Sequence, residues 1–325
     1  MKNSPPAQNR RGFFACDCKN HEVFLHLSLL SNTPGFPMMK LTPLICPKPD
    51  CEAENERNAS VCESCGNSLG FVNVNILSDP YFQEGLEKRY DTTKATLSDS
   101  EVQRFEEVIV REGKAVINMN YGLVQEIVNK NKAYISYQRG VEKGFVSKKE
   151  FAKDRFRCAA EAAFYGIDGR NIVYAALALD DVGVASYGDV SVVLRTKRIE
   201  SRTTFFEKDT LVLFSELVRK GWFVDEIIPS GHCGTWNERS KMAVIKHGAE
   251  VEPSHQIADL AALILKSDGS GTNDAFIELH IFNAVKPAAF EKVVFYKKPT
   301  RTYDQLQFKL FKSKLASLDI EAVEK

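Results

Sequence analysis

In the run Phe276-Ile277-Glu278-Leu279-His280-Ile281-Phe282, a carboxylate and an imidazole interrupt an otherwise apolar sequence. Alternation at period two puts Ile277, Leu279 and Ile281 on one face and Phe276, Glu278, His280 and Phe282 on the other. The first face reads as core. The second carries two titratable groups where a purely structural strand seldom places them, because an unpaired buried charge is strongly unfavourable. Glu278 is therefore either neutralised by a partner, such as an arginine that ties the sheet together, or used for chemistry, and chemistry is the reading adopted. A second set of chemically suggestive residues is Cys46-Pro-Lys-Pro-Asp-Cys51 followed, ten residues on, by Cys62-Glu-Ser-Cys65-Gly66. Two such knuckles can hold four thiolates tetrahedrally around one zinc ion, with disulfides or free thiols as the alternatives. Four thiolates leave no open coordination position, so the metal is expected to be structural.

The cysteine segment resembles the bacterial zinc-ribbon family, whose pattern ends Cys-x-x-Cys-Gly-x-x-Leu, here Cys62 to Leu69. It departs in the first knuckle, where four residues rather than two separate the cysteines. Cys16, Cys18 and His21 lack a fourth ligand and make a weak metal set. Cys158 falls in a helical apolar stripe and reads as core. Cys233 follows His232, but neighbours on an extended chain point apart, which argues against a cysteine nucleophile activated by that histidine.

The elements that must position these residues follow from pattern. Residues 1–40 are a poorly patterned leader with Pro5, Pro6, Pro34 and Pro37, and Met39 is a candidate natural start. Residues 41–72 form the ribbon, and residues 80–325 form one larger α+β domain with N-terminal helices. Ser98 and Glu101 suggest a capping box ahead of Val102, Phe105, Val108 and Ile109 at helical spacing. A helix is expected from Leu123 to Asn131, a short strand from Tyr134 to Arg139, and a helix carrying Phe156, Ala159, Ala160, Ala163 and Phe164. Strands are expected at Asn171–Leu179, whose alanines also suit a helix, and at Asp189–Arg195, Ser201–Phe206, the Glu278 run and Phe290–Tyr296. Helices are expected near Leu211–Lys220, Glu238–His247 and Ile257–Lys266, with a loop at residues 267–274.

The composition is that of an ordinary globular protein: 325 residues, 44% hydrophobic and 26% charged. Lys+Arg and Asp+Glu are both 43, so the overall balance does not itself call for a polyanionic partner. The apolar run Val23 to Leu30 is too short to span a membrane, so no membrane partner and a cytoplasmic location are expected.

Tyr187-Gly188-Asp189-Val190, the run Val192 to Arg195, Arg202-Thr203-Thr204-Phe205, Asp209-Thr210, the Glu278 strand and Val293-Val294-Phe295 resemble the catalytic core of toxin-like mono-ADP-ribosyltransferases of bacterial conflict and phage-defence systems. Tyr137-Gln138-Arg139-Gly140 fits the same pattern, and the likeness spans roughly residues 130–300. It implies a split β-sandwich with flanking helices around bound NAD. It also implies an arginine or histidine on a first strand, a hydroxyl-bearing or aromatic residue on a middle strand and a glutamate on a late one. These map to Arg139, to Ser201 or Thr203, and to Glu278, with Tyr174 and Tyr187 as candidates to stack on nicotinamide. Arg139 could equally be a surface arginine, and Ser201 and Thr203 merely β-prone.

In that reading Glu278 stabilises the cation-like ribose as the nicotinamide bond breaks, and Arg139 clamps ribose or pyrophosphate oxygens. Arginine-modifying members carry an acid or amide two positions before the glutamate; here that position is Phe276, which disfavours protein arginine as acceptor. RNA or DNA is preferred, helped by Lys297, Lys298, Arg301 and the Lys309 to Lys314 tract, although a charge run is more often a solvated face. The resemblance also implies an antitoxin partner, with the ribbon as docking surface. Alternatives are an NAD glycohydrolase, ADP-ribosylation of a protein, and a non-enzymatic zinc-ribbon adaptor that binds nucleic acid or protein.

Overall fold

The computed structural model describes residues 41–145, 151–219, 230–269, 274–296 and 302–325. The leader, with Cys16, Cys18, His21 and Met39, lies outside the described residues, as do Lys297, Lys298 and Arg301. At the N-terminal end, β1 (Leu44–Ile45) and β2 (Glu54–Asn55) pair antiparallel and carry the cysteine knuckles. The chain then runs through α1 (Val72–Leu77), α2 (Pro80–Lys94) and α3 (Asp99–Glu112) into β3 (Lys114–Met119). After it come α4 (Tyr121–Asn129), α5 (Tyr137–Glu142), α6 (Phe151–Tyr165), β4 (Ile172–Ala178), β5 (Val190–Leu194), α7 (Thr196–Ile199) and β6 (Thr203–Phe206). The remainder is α8 (Thr210–Arg219), β7 (Cys233–Thr235), α9 (Arg239–His247), α10 (Ile257–Ile264), β8 (Glu278–Phe282), β9 (Phe290–Phe295), α11 (Thr302–Ala316) and β10 (Glu321–Glu324).

Among the described residues the large sheet has eight strands in the order β10-β9-β5-β3-β4-β8-β6-β7, antiparallel throughout except for the parallel β10–β9 edge. The expectation of an α+β protein holds. Hydrogen bonds join all eight strands into one ladder, where the resemblance implies a sheet split in two. The reason is β3, which pairs with β4 on one side and β5 on the other and so closes any gap between halves.

Helices cover both faces. On one, Ile117, Val173, Leu177, Val192, Leu279 and Ile281 pack with residues of α2, α3, α4, α9, α10 and α11 in the main core. On the other, Ile172, Phe206 and Phe282 pack with Val72 and Ile76 of α1, Phe164 and Tyr165 of α6, and Leu213 and Phe214 of α8. Burying roughly 25 cal/mol for each Å² of apolar surface makes this two-sided cover the main stabilising term. It also puts every β8 side chain, polar or not, out of solvent.

Two local expectations are corrected. Tyr134–Arg139 is not a strand: Tyr134 makes a single bridge to Val285, and Ser136 Oγ then accepts from Arg139 N at 3.2 Å, starting α5. The serine cap outweighs the β-propensity of the residues before it. Helix α3 begins where expected, but Ser98 Oγ meets Ser100 Oγ at 2.9 Å rather than capping the helix backbone.

The ribbon is fastened to the larger domain at the start of α2. Asp79 Oδ1 accepts from Tyr81 N at 2.9 Å as the helix cap, while its Oδ2 accepts from Thr42 N at 2.8 Å and Thr42 Oγ1 at 2.6 Å. Arg57 donates to Thr42 O at 2.8 Å and Asn75 O at 2.9 Å and lies 3.4 Å from Asp79. Asn75 Nδ2 returns a bond to Ala59 O at 3.0 Å.

Gly188 brings the loop before β5 against the end of β3, where a Cβ would lie 2.4 Å from the Met119 carbonyl carbon and oxygen. Backbone cannot yield as a side chain end can. Gly188→Ala should therefore destabilise by roughly 2 kcal/mol or more, read as a lower midpoint in urea unfolding with an unchanged slope.

Candidate functional site

Antiparallel register assembles the site. Tyr174 of β4 and Thr204 of β6 both stand opposite His280, and Ala176 and Phe206 stand opposite Glu278, so these side chains share the face covered by α1, α6 and α8. Glu278 is 5% exposed. Its Oε1 accepts from Thr210 N at 3.0 Å, Thr210 Oγ1 at 2.6 Å and His280 Nε2 at 2.8 Å. Oε2 receives no donor from the described residues. With Nε2–H given to the carboxylate, His280 Nδ1 accepts from the Tyr165 hydroxyl at 2.9 Å, and this network assigns the tautomer. Tyr165, Tyr174 and Phe206 enclose the imidazole at centroid distances of 5.6, 4.9 and 4.7 Å. Asn73 of α1 completes the set, its Nδ2 donating to Thr204 Oγ1 at 3.2 Å and His280 O at 3.1 Å.

Helix α6 contributes the counter-charge. Arg157 and Glu161, one turn apart, fall on the stripe that includes the buried Ala160, Phe164 and Tyr165. The Arg157 guanidinium lies 5.5 Å from the Tyr137 ring centre and 5.4 Å from that of Tyr174. Burial works against its charge, but Tyr174, Glu161 and Asp209 outweigh it and hold its pKa above the ordinary value. Glu161, 4% exposed, accepts from Tyr174 OH at 2.6 Å on Oε1 and from Gln138 Nε2 on Oε2. Burial pushes its carboxyl up to about 7, against the pull of Tyr174 and Arg157. Asp209 precedes α8, its Oδ1 accepting from Leu211 N at 2.7 Å and its Oδ2 from Tyr187 OH at 3.3 Å. Burial and the Glu278 charge push Asp209 up to about 6.

The sequence-predicted residues divide accordingly. Glu278, Tyr174 and Tyr187 are brought together; Tyr187, 39% exposed, packs edge-on to Phe276 at 6.4 Å between centroids. Arg139 is not part of the cluster. It donates to Asn171 Oδ1 at 2.9 Å and to Glu142 at 2.9 Å, and α5 supplies the neighbouring Gln138 instead. Ser201 is exposed in the turn before β6. Thr203 is buried, but its Oγ1 donates to Ile199 O at 2.6 Å and its partner across the sheet is Ile281, on the opposite face from Glu278. Thr204, one residue later, is the β6 hydroxyl on the face of Glu278.

Arg157, Glu161, Asp209, Thr210, Tyr165 and Thr204 were not anticipated as site residues. An arginine and a glutamate four apart inside an apolar helical stripe was the signal available for the first two. Cys158 is exposed rather than core. Cys233 is fully buried and burial pushes its thiol up, which leaves it a packing residue.

Cys46, Cys51, Cys62 and Cys65 converge, with all four sulfurs within 4.8 Å of one another. Cys46 and Cys65 are 3.7 Å apart, and Cys51 and Cys62 are 3.8 Å apart. A zinc–sulfur length of about 2.3 Å gives a tetrahedral edge of about 3.8 Å, so the donor set fits zinc; a disulfide needs about 2.05 Å. The longer first knuckle closes through Asp50 and Glu52 at positive φ (65° and 46°), and the second turns at Gly66 (φ 71°). Bound zinc would serve as a structural cross-link in place of a hydrophobic core, of which the ribbon has only Leu69 and a few partly buried neighbours.

Among the described residues no helix is long and apolar enough to cross a membrane. Comparison with protein-family models and with curated proteins gives no match.

Two outcomes are expected. Native mass spectrometry should find about one zinc per chain, lost in Cys62→Ser, with a lower melting temperature after chelation. The Glu161 carboxyl, raised from 4.5 to about 7, makes the folded state bind the extra proton between those values, so stability falls as pH rises through that window. Glu161→Gln should thus gain about 1 to 3 kcal/mol over the native chain at pH 8 and little at pH 5, measured by urea unfolding at both.

Proposed function

We propose that this chain is a toxin-like, NAD-dependent mono-ADP-ribosyltransferase. The observation that carries the reading is Glu278: a buried carboxylate held in place by three donors on Oε1, while its Oε2 takes no hydrogen bond from the described residues. Breaking the nicotinamide–ribose bond develops positive charge on the sugar, and a preorganised carboxylate stabilises that charge without having to reorganise at the moment of reaction. Oε2 would accept a ribose hydroxyl. His280 and Thr210 keep the group from rotating, and Tyr165 keeps His280 in the tautomer that donates.

Arg157 takes the role that the sequence assigned to Arg139, receiving ribose or pyrophosphate oxygens in planar geometry. Of the two tyrosines, Tyr174 is engaged with Glu161, His280 and Arg157, so the more exposed Tyr187 is the better partner for the nicotinamide ring. Nucleic acid is the proposed acceptor over protein arginine, since Phe276 stands where arginine-modifying enzymes of this kind place an acid or amide. A neutralising protein partner belongs to the same reading. The ribbon's exposed Asp50, Glu52, Glu54, Glu56 and Glu63 against Lys48 would ask such a partner for a basic face.

Incubation with labelled NAD and separate pools of RNA, DNA and protein tests this. Label should appear on a nucleic-acid pool and fall on the order of 10²-fold or more in Glu278→Gln. Free ADP-ribose alone would mark a glycohydrolase. An inert native chain that still shifts nucleic acid would mark a binding adaptor.

A further inference from the structure

Resting on that transferase reading, we propose that Asp209 is the proton acceptor for the attacking group, and that the site therefore takes a neutral acceptor with a proton to lose, a hydroxyl or an amino group, rather than a charged guanidinium. When the ribose–nitrogen bond breaks, its electron pair leaves with nicotinamide, which becomes neutral. The acceptor's lone pair then forms the new bond to the ribose carbon, and the acceptor's proton must go to a base. Glu278 faces the developing cation and is committed to it.

Two further carboxylates stand near Arg157, and their partners distinguish them. Glu161 has both oxygens engaged, by Tyr174 and by Gln138, and is 4% exposed. Asp209 uses Oδ1 to hold the first turn of α8, through Leu211 N at 2.7 Å and Val212 N at 3.3 Å. Among the described residues its Oδ2 receives only the long 3.3 Å bond from Tyr187; Tyr187 is 39% exposed and Asp209 itself half-buried, which puts this carboxylate toward the accessible side of the cluster. The next residue, Thr210, grips Glu278 through both its amide and its hydroxyl, which fixes the two carboxylates relative to each other across one peptide unit. Their tasks differ accordingly, one stabilising the sugar and the other receiving the proton.

The groups facing Asp209 are Glu278 from β8, Arg157 from α6 and Tyr187 from the loop before β5, with Glu161 and Asp274 nearby around Arg157 and Tyr187. A carboxyl raised to about 6 is ionised at neutral pH yet basic enough to take a proton as the new bond forms. Transfer should consequently climb as pH rises through about 6.

The test compares the native chain, Asp209→Asn and Glu161→Gln from pH 5 to pH 9. Nicotinamide release and label transfer are measured separately, with a single-stranded oligonucleotide and with agmatine as acceptor probes. Asparagine also caps helices well, so the variant should keep its fold, checked by its melting curve. Asp209→Asn should lower transfer to the oligonucleotide roughly 10²-fold or more with KM for NAD unchanged and the rise near pH 6 abolished, while Glu161→Gln keeps that rise. Formate should restore transfer to Asp209→Ala. Near-native transfer with a native pH profile in Asp209→Asn, or label on agmatine in preference to the oligonucleotide, overturns the role of Asp209 while leaving the transferase reading standing. A native chain that releases no nicotinamide with either probe defeats the transferase reading, and this role falls with it.

Discussion

A carboxylate in the middle of a sheet covered on both sides must be met by donors, and much of the arrangement on this face follows from how Glu278 is met. Thr210 can supply two donors because β6 ends opposite Glu278 and α8 begins a few residues later. His280 supplies the third because period two returns it to the same face, and Tyr165 and Thr204 occupy its other nitrogen and surroundings. Arg157 then has two acids, Glu161 and Asp209, and two tyrosines within its electrostatic reach, so its charge persists despite burial. Removing a donor to Glu278 or His280 would strand its acceptor, which is why such networks are costly to break and hold their geometry once complete.

The ribbon bears on the same network at one remove. Cysteine geometry sets the knuckles, Arg57 and Asp79 seat the ribbon at the start of α2, and Asn75 ties it to α1. Two residues earlier on α1, Asn73 reaches the backbone of His280 and the hydroxyl of Thr204. A short helix of six residues has little stability of its own, so α1 depends on packing and on these bonds at both ends. Order in the ribbon and order beneath His280 are thus joined through one helical turn and a half.

What was legible in the sequence is what local pattern determines. The alternation around Glu278, the cysteine spacing and the apolar stripe of α3 each state one periodicity without competition. Strand β3 did not read out, although it is central: Lys114 to Met119 is buried on both faces, so its apolar residues do not alternate with polar ones. The stripe expected of α6 contains Ala160 and Phe164, both buried, but omits Glu161 and Tyr165, which are buried beside them, so the charged residues of that face belong to the site. The resemblance points to Arg139 as the arginine of a first strand, but Ser136 caps a helix there instead. Which arginine meets a buried acid is decided by tertiary packing, and no window of a few residues contains that information.

On the proposed reading, the charge layout restricts how an acceptor nucleic acid would reach Glu278. The lysine tract of α11 does not line the approach, because Phe308, Phe311 and Leu315 anchor that helix to the core on the opposite side of the sheet, and Lys312 is paired with Glu324. Beside Glu278, the carboxylates of Glu161 and Asp209 face one arginine, and the ribbon's exposed charges are mostly acidic. On the proposed reading such surroundings favour a ring that carries positive charge before the bond breaks and a sugar that carries it afterwards, and they repel phosphates other than those that Arg157 receives. A duplex lying along this surface would be repelled along its length. A single unpaired nucleotide, its base or sugar turned inward and its phosphates kept outside the acidic cluster, avoids most of that cost and presents the kind of neutral acceptor that a carboxylate base can deprotonate.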